Sequence, residues 1–179
     1  MSRQLLVKIH LYLATFLTPV IIMMAISGGL YLFGFKGSSE STVVYEGNSS
    51  EIDFQSATAK EDVMALFEKA GIEADFEYVK GNTSILFTRP TSRDHHVLRK
   101  KDDKLTISLE QPDLVKSLIE LHKGHGPGLF KTLQKVTAFG LTFILLSGLW
   151  IALVTPPLRK TALTITGSGV LVCIFIIMF

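Results

Sequence analysis

Residues Ile9–Phe33, IHLYLATFLTPVIIMMAISGGLYLF, run for twenty-five positions without a charged side chain. That exceeds the roughly 20 residues a helix needs to cross the hydrocarbon core of a bilayer, so the stretch reads as a transmembrane helix. Pro19 removes one intrahelical hydrogen bond and predicts a kink. Arg3 and Lys8 ahead of the run, with Ala25-Ile26-Ser27 inside it, make a cleaved signal peptide the competing reading. The apolar character continues through Leu30-Tyr31-Leu32-Phe33, which is too long for such a leader and favours an uncleaved anchor.

Two more apolar runs lie beyond the middle of the chain, Val136–Val154 and Thr161–Phe179. The segment Thr155-Pro156-Pro157-Leu158-Arg159-Lys160 between them reads as a tight loop, its prolines stopping one helix before the next starts. All sixteen Asp and Glu lie between Glu40 and Glu120, with three basic residues before that block and five after it. A charge-rich block between two acid-free apolar arms is the pattern of an integral membrane protein, because an unpaired carboxylate in hydrocarbon is costly. Arg3 and Lys8 precede the first span, and Arg159 and Lys160 separate the second from the third. The positive-inside rule places both pairs in the cytoplasm, and the middle domain and the C-terminus outside. Lys131 and Lys135, one helical turn apart beside span two, are placed to reach lipid headgroups.

The net charge of +2 comes with no basic stripe interleaved with aromatics, which argues against a nucleic-acid partner. The single cysteine, Cys173, has no intrachain disulfide partner and reads as a small residue packed in the last helix. No GxSxG, P-loop, dinucleotide fingerprint or zincin motif occurs, so nothing specifies a hydrolase or a nucleotide-dependent enzyme.

In the middle, Thr42–Tyr45 reads as a brief strand, and Ser56–Ala70 as a helix with Val63, Leu66, Phe67 and Ala70 on one face and Gly71 as its stop. Phe76, Tyr78, Ile85 and Phe87 alternate with polar residues around Gly81-Asn82, a hairpin pattern. His95–Lys100 and Lys104–Leu109 predict two further strands. Gln111–His122 predicts a second helix with Leu114, Leu118 and Leu121 on one face. Antiparallel strands with one face covered by a helix make a small α+β domain.

Several stretches carry a resemblance: Lys8-Ile9-His10-Leu11-Tyr12-Leu13 at the start, Ser27-Gly28-Gly29 in span one, Leu121-His122-Lys123-Gly124-His125-Gly126 before span two, and Ser147-Gly148-Leu149-Trp150 within it. In this order, with the helix-then-strands module between the spans, the chain resembles the PepSY-associated transmembrane proteins of bacteria over nearly its whole length. The resemblance implies an α-helical membrane protein of three transmembrane helices, with an α+β PepSY-like extracytoplasmic domain inserted between helices 1 and 2. The expected division is 1–36 for the N-terminal tail and first helix and 37–126 for the periplasmic domain. Residues 127–155 then form an interfacial segment with the second helix, and 156–179 the cytoplasmic loop with the third. Some larger members of the family are inner-membrane reductases of iron–siderophore complexes whose haem is held by histidines. The resemblance therefore implies at most a subunit of a reductase or electron-transfer system, with haem b as cofactor.

The five histidines are the candidate ligands. His10, at the cytoplasmic start of span one, is a haem-iron ligand or an interfacial ring meeting headgroups. His122 and His125 share a face if the second helix continues through both, and Gly124 and Gly126 let a flat cofactor come close; the competing reading is a glycine-rich turn with solvated histidines. A full span separates His10 from the other two by roughly 30 Å, so they cannot share one iron. A second axial ligand for His10 would come from another copy or another subunit. His95 and His96, neighbours in a strand, point to opposite faces and read as part of a solvated edge. The small residues of Ser27-Gly28-Gly29, Ser147-Gly148 and Gly167-Ser168-Gly169 suit close helix packing.

Two functions fit these residues. The first is an accessory or haem-binding subunit in transmembrane electron transfer, for example iron-complex reduction. The second is a non-enzymatic binding or regulatory module, anchored by its helices and acting through a peptide or protein partner of its periplasmic domain. A transporter is a weaker third, because the spans lack an acid or base to mark an ion path.

Overall fold

Each of the three apolar runs, short of its last residue, lies in a helix of the computed structural model, which describes residues 2–179. Helix α1 (Arg3–Leu32) holds the first and passes through Pro19 without interruption. Helices α4 (Gly128–Leu153) and α5 (Pro156–Met178) hold the other two, and all three are long and apolar enough to cross a bilayer. Even the shortest, with 23 residues, spans about 35 Å at the α-helical rise.

Two boundaries differ from expectation for local physical reasons. Helix α4 begins at Gly128, well ahead of Val136, because its polar first turns are anchored: both carboxylate oxygens of Glu77 accept from the Gly128 amide at 3.1 Å. A carboxylate there satisfies an otherwise unpaired helix-terminal N–H and complements the helix dipole. Lys131 in the same turn donates to the Tyr78 hydroxyl at 2.6 Å. Helix α5 starts at Pro156 itself, with prolines in its first two positions, where a missing N–H removes no bond. The expected loop thus shrinks to Val154-Thr155, and Arg159 and Lys160 lie in the opening turns of α5.

The chain forms two compact units, one of residues up to Ile21 with Lys135–Phe179, the other of Ile22–Gln134. In the first unit, Leu17 is fully buried, and Gly140 lies so close to it that an added Cβ would stand 2.3 Å from Leu17 Cδ1. Arg3 donates to Thr155 Oγ1 at 3.0 Å, bringing the N-terminal basic residues beside the α4–α5 turn. Along α5 nothing lies within 4 Å of where a Cβ would stand on Gly167 or Gly169, so those small residues receive no helix of this chain. Cys173 is exposed on the same helix rather than packed.

The second unit holds a five-stranded antiparallel sheet: β1 (Ser39–Asn48), β2 (Tyr78–Gly81), β3 (Ile85–Arg89), β4 (His95–Lys101) and β5 (Lys104–Pro112), in the order β1-β5-β4-β3-β2. Helix α2 (Ala59–Ala70) covers one face. Its Val63, Leu66 and Phe67 pack with Leu86, Leu98, Leu105 and Ile107 of the sheet, joined by Ile52, Phe54 and Phe76. Leu98 sits opposite both Leu86 and Ile107, so the middle strand carries the centre of this core. Gly71 ends α2 with φ +68°, donating to the Phe67 and Glu68 carbonyls. Nothing crowds a Cβ there, so Gly71→Ala is expected to cost only the left-handed backbone strain, about 1 kcal/mol. Hydrogen exchange of α2 amides in the full-length protein should quicken about fivefold.

Helix α3 (Leu114–His122) comes after β5, capped by Asp113, which accepts from the Lys116 amide at 2.7 Å. Its buried residues are Ile119 and Glu120, whereas Leu114 is exposed and Leu118 and Leu121 are half-buried, so the packed face is turned away from the expected leucine face. The reason is the partner: α3 meets the second face of the sheet, where the strands present Arg89 and His95, and a carboxylate is drawn inward.

Candidate functional site

Serine followed by glycine occurs in all three apolar helices, and in α1 and α4 a histidine ring rests on the pair. In the first unit, His10 Nδ1 lies 2.8 Å from Ser147 Oγ. The Ser147 hydroxyl itself donates to the Ile144 carbonyl at 3.2 Å, leaving its lone pair for the imidazole N–H. Gly148 leaves room for the ring, since a Cβ there would stand 3.2 Å from His10 Cε1.

The second unit repeats the arrangement. His122 Nδ1 lies 2.9 Å from the Met24 carbonyl and 3.1 Å from Ser27 Oγ. Ser27, fully buried, donates to the Met23 carbonyl at 2.8 Å. A carbonyl only accepts, so Nδ1 of His122 carries the proton. A Cβ on Gly28 would stand 2.9 Å from His122 Cε1. Gln134 donates to the Leu121 carbonyl at 2.8 Å and steadies this end of α3.

The Met24 carbonyl assigns the neutral His122 ring to the Nδ1–H tautomer, which leaves Nε2 as an open lone pair, and Ser147, donating to Ile144, is free to accept from the same form of His10. No hydrogen bond to Nε2 of His10 or His122 is present among the described residues. A ring fixed through Nδ1–H with Nε2 free is the form in which histidine ligates iron. His10 and His122 could each offer such a nitrogen to a metal ion.

His125 does not join His122. Helix α3 stops at His122, and the chain turns at Gly124 with φ +77°, so the shared helical face does not form. His125 Nδ1 instead donates to Glu120 Oε2 at 2.6 Å. Glu120, only 7% exposed, is the hub of the second sheet face. It accepts from Thr91 Oγ1 at 2.7 Å, and Lys123 and Lys116 approach its other oxygen at 3.3 and 3.7 Å. Arg89 stands 3.9 Å away. Burial by itself raises the pKa of this carboxyl, but the hydrogen bonds from His125 and Thr91 and the charges of Lys123 and His125 outweigh it and hold it at about 2.

His95 and His96 are buried, not solvated, because β4 is the middle strand rather than an edge. They do point to opposite faces. His96 packs edge-on against Phe67 in the core, ring centroids 4.9 Å apart. His95 faces the other way, its Nδ1–H donating to the Arg93 carbonyl at 2.9 Å. Burial lowers the pKa of both, and the neighbouring His95 lowers that of His96 further, so each is uncharged at neutral pH.

Among the described residues no group of three or more His, Cys, Asp and Glu is placed to hold a metal ion. The sequence singled out His10, His122 and His125, but not the roles of Ser27, Ser147, Glu120, Arg89 or Thr91. The one available signal was the recurrence of Ser-Gly in all three apolar runs, which does not set the two histidine seats apart from Ser168-Gly169 and on its own also suits helix packing. No family model, curated protein or solved structure matches this chain.

Proposed function

We propose that this chain is a haem-binding subunit of a transmembrane electron-transfer system in the bacterial inner membrane, of the PepSY-associated type. The observation that carries the reading is the repeated seat of His10 and His122: a serine holding Nδ1–H, an adjacent glycine making room, and Nε2 left free. Haem b, when bound, supplies one-electron exchange. The chain's own part is to offer Nε2 of His10 and His122, with Ser147 and Ser27 fixing each ring's tautomer and direction. Each seat offers one histidine, so a second copy or another membrane subunit would supply any further ligand. His125, engaged with Glu120, belongs to the water-facing domain and is left out of the haem set.

The N-terminus is cytoplasmic and residues 37–126 are periplasmic in this reading. Support comes from the contact of Arg3 with Thr155, which gathers Arg3, Arg159 and Lys160 at one end of the helices, as the positive-inside rule requires. A second reading, a membrane-anchored binding module acting through the periplasmic domain, is favoured by the cations gathered around Glu120 on the second sheet face.

The test is the visible spectrum of the full-length protein, purified in detergent from cells supplied with haem, before and after dithionite. Sharp b-type bands on reduction are expected. A featureless spectrum counts against the redox reading and in favour of the binding module.

A further inference from the structure

On the sheet face turned away from the core, α3 and the strands enclose a cavity of about 310 Å³, whose walls include Arg89, His95, Arg99, Lys116, Glu120 and His125. Two carboxylates, Glu110 and Glu120, meet three permanent cations there, Arg89, Arg99 and Lys116. Both carboxylates are already engaged. Glu110 accepts from Ser41 Oγ at 2.6 Å, and Glu120 from Thr91 and His125.

Arg89 is not satisfied. Its side chain is only 9% exposed, yet it makes one hydrogen bond, from Nη1 to Thr91 Oγ1 at 2.7 Å. Its Nε is buried without any acceptor, and Glu120 at 3.9 Å is beyond hydrogen-bond reach. A guanidinium has five N–H donors in a fixed fork, and leaving buried donors idle costs free energy. Buried unpaired polar groups are few in native proteins, and a role in binding an acceptor is one of the ordinary reasons for them.

We propose that this cavity is a binding site for a single carboxylate, received by the guanidinium of Arg89, with Lys116 and Arg99 in the same walls. The permanent charges in the walls leave an excess of one positive, which a monoanion matches. A planar carboxylate also matches the guanidinium fork in a bidentate pair. Neutral His95, with Nδ1–H given to Arg93, turns an acceptor nitrogen to the wall for an N–H or O–H next to the carboxylate. The carboxylate comes from a small organic acid or from the C-terminus of a peptide.

Calorimetric titration of the full-length protein in detergent separates these. The probes are acetate, trialanine and trialanine amide. Binding of acetate or trialanine, with none of the amide, is expected. Trialanine at least about tenfold tighter than acetate identifies a peptide terminus, and equal affinities a small acid. Arg89→Lys should weaken binding about tenfold, because the ammonium lacks the fork. If that variant misfolds, Arg99→Gln, at an exposed position, should still weaken binding about threefold. No heat with either carboxylate, equal binding of the amide, or unchanged affinity in a folded variant would overturn the proposal.

Discussion

Replacing Glu120 by Gln is expected to destabilise the sheet domain by roughly 3 kcal/mol, with hydrogen exchange of the β3–β5 amides quickening about 100-fold in the full-length protein. That figure has two independent bases. Holding the carboxyl at about 2 instead of its ordinary value near 4.5 corresponds to roughly 3 kcal/mol of preference for the ionised form in the fold. Separately, removing one partner of a buried ion pair costs about 3–5 kcal/mol, because the other charge stays buried without its counterpart. Here the stranded group is Arg89, at the same site and equally buried.

The pH dependence has a definite sign. Glu120 titrates lower in the fold than in the unfolded chain, so its stabilisation is complete above the unfolded value of about 4.5. It is lost as pH falls toward the folded value of about 2. His95 and His96 act in a higher window. Their lowered pKa values mean the unfolded chain takes up protons first, so their share of stability declines as pH drops below about 6.5. Comparing the wild type with Glu120→Gln separates the windows: the variant should keep the decline below about 6.5 and show a smaller one on the acid side of about 4.5, where Glu51 and Asp113, held low by hydrogen bonds from the Asn48 and Lys116 amides, still contribute. A variant retaining the lower step undiminished would assign it to other carboxylates.

The second large effect concerns the histidine seats. Gly28→Leu places a branched side chain where a single Cβ already stands 2.9 Å from His122 Cε1, and Gly148→Leu does the same to His10 at 3.2 Å. Each leaves its histidine in the sequence but expels the ring. Each is expected to remove about half of the reduced haem absorbance, since each seat would offer one ligating nitrogen. Ser27→Ala and Ser147→Ala, which free the ring without expelling it, should leave the band but lower affinity roughly 10–100-fold. Haem content unchanged in both leucine variants would mean that the seats only pack helices.

The parts of this structure legible in the sequence are those set by local patterns. The uncharged run at Ile9–Phe33 gives α1, Gly71 ends α2, and the alternation around Gly81-Asn82 gives β2 and β3. What depends on distant contacts was not legible. The charged neighbours Arg93 and Asp94 suggested that His95-His96 lie on an edge, but the addition of β1 beyond β5 makes β4 the middle strand. Glu120 sits on a helix whose leucines suggested a different buried face, and partners distant in sequence, Thr91 from the connection between β3 and β4 and Arg89 from β3, meet it on the inner side. The histidines themselves were visible as candidates. Their tautomers were not, because Ser147 lies 137 positions from His10, and Ser27 lies 95 from His122.

Whether His10 and His122 hold haem is decided by comparing reduced-minus-oxidised visible spectra of the wild type and the His10→Ala/His122→Ala double variant. Both are purified in detergent at equal protein concentration from cells supplied with haem. The expected result is sharp b-type bands in the wild type and none in the double variant, with both proteins inserted in the membrane. Bands of equal height in the two, or no bands in either, would contradict it.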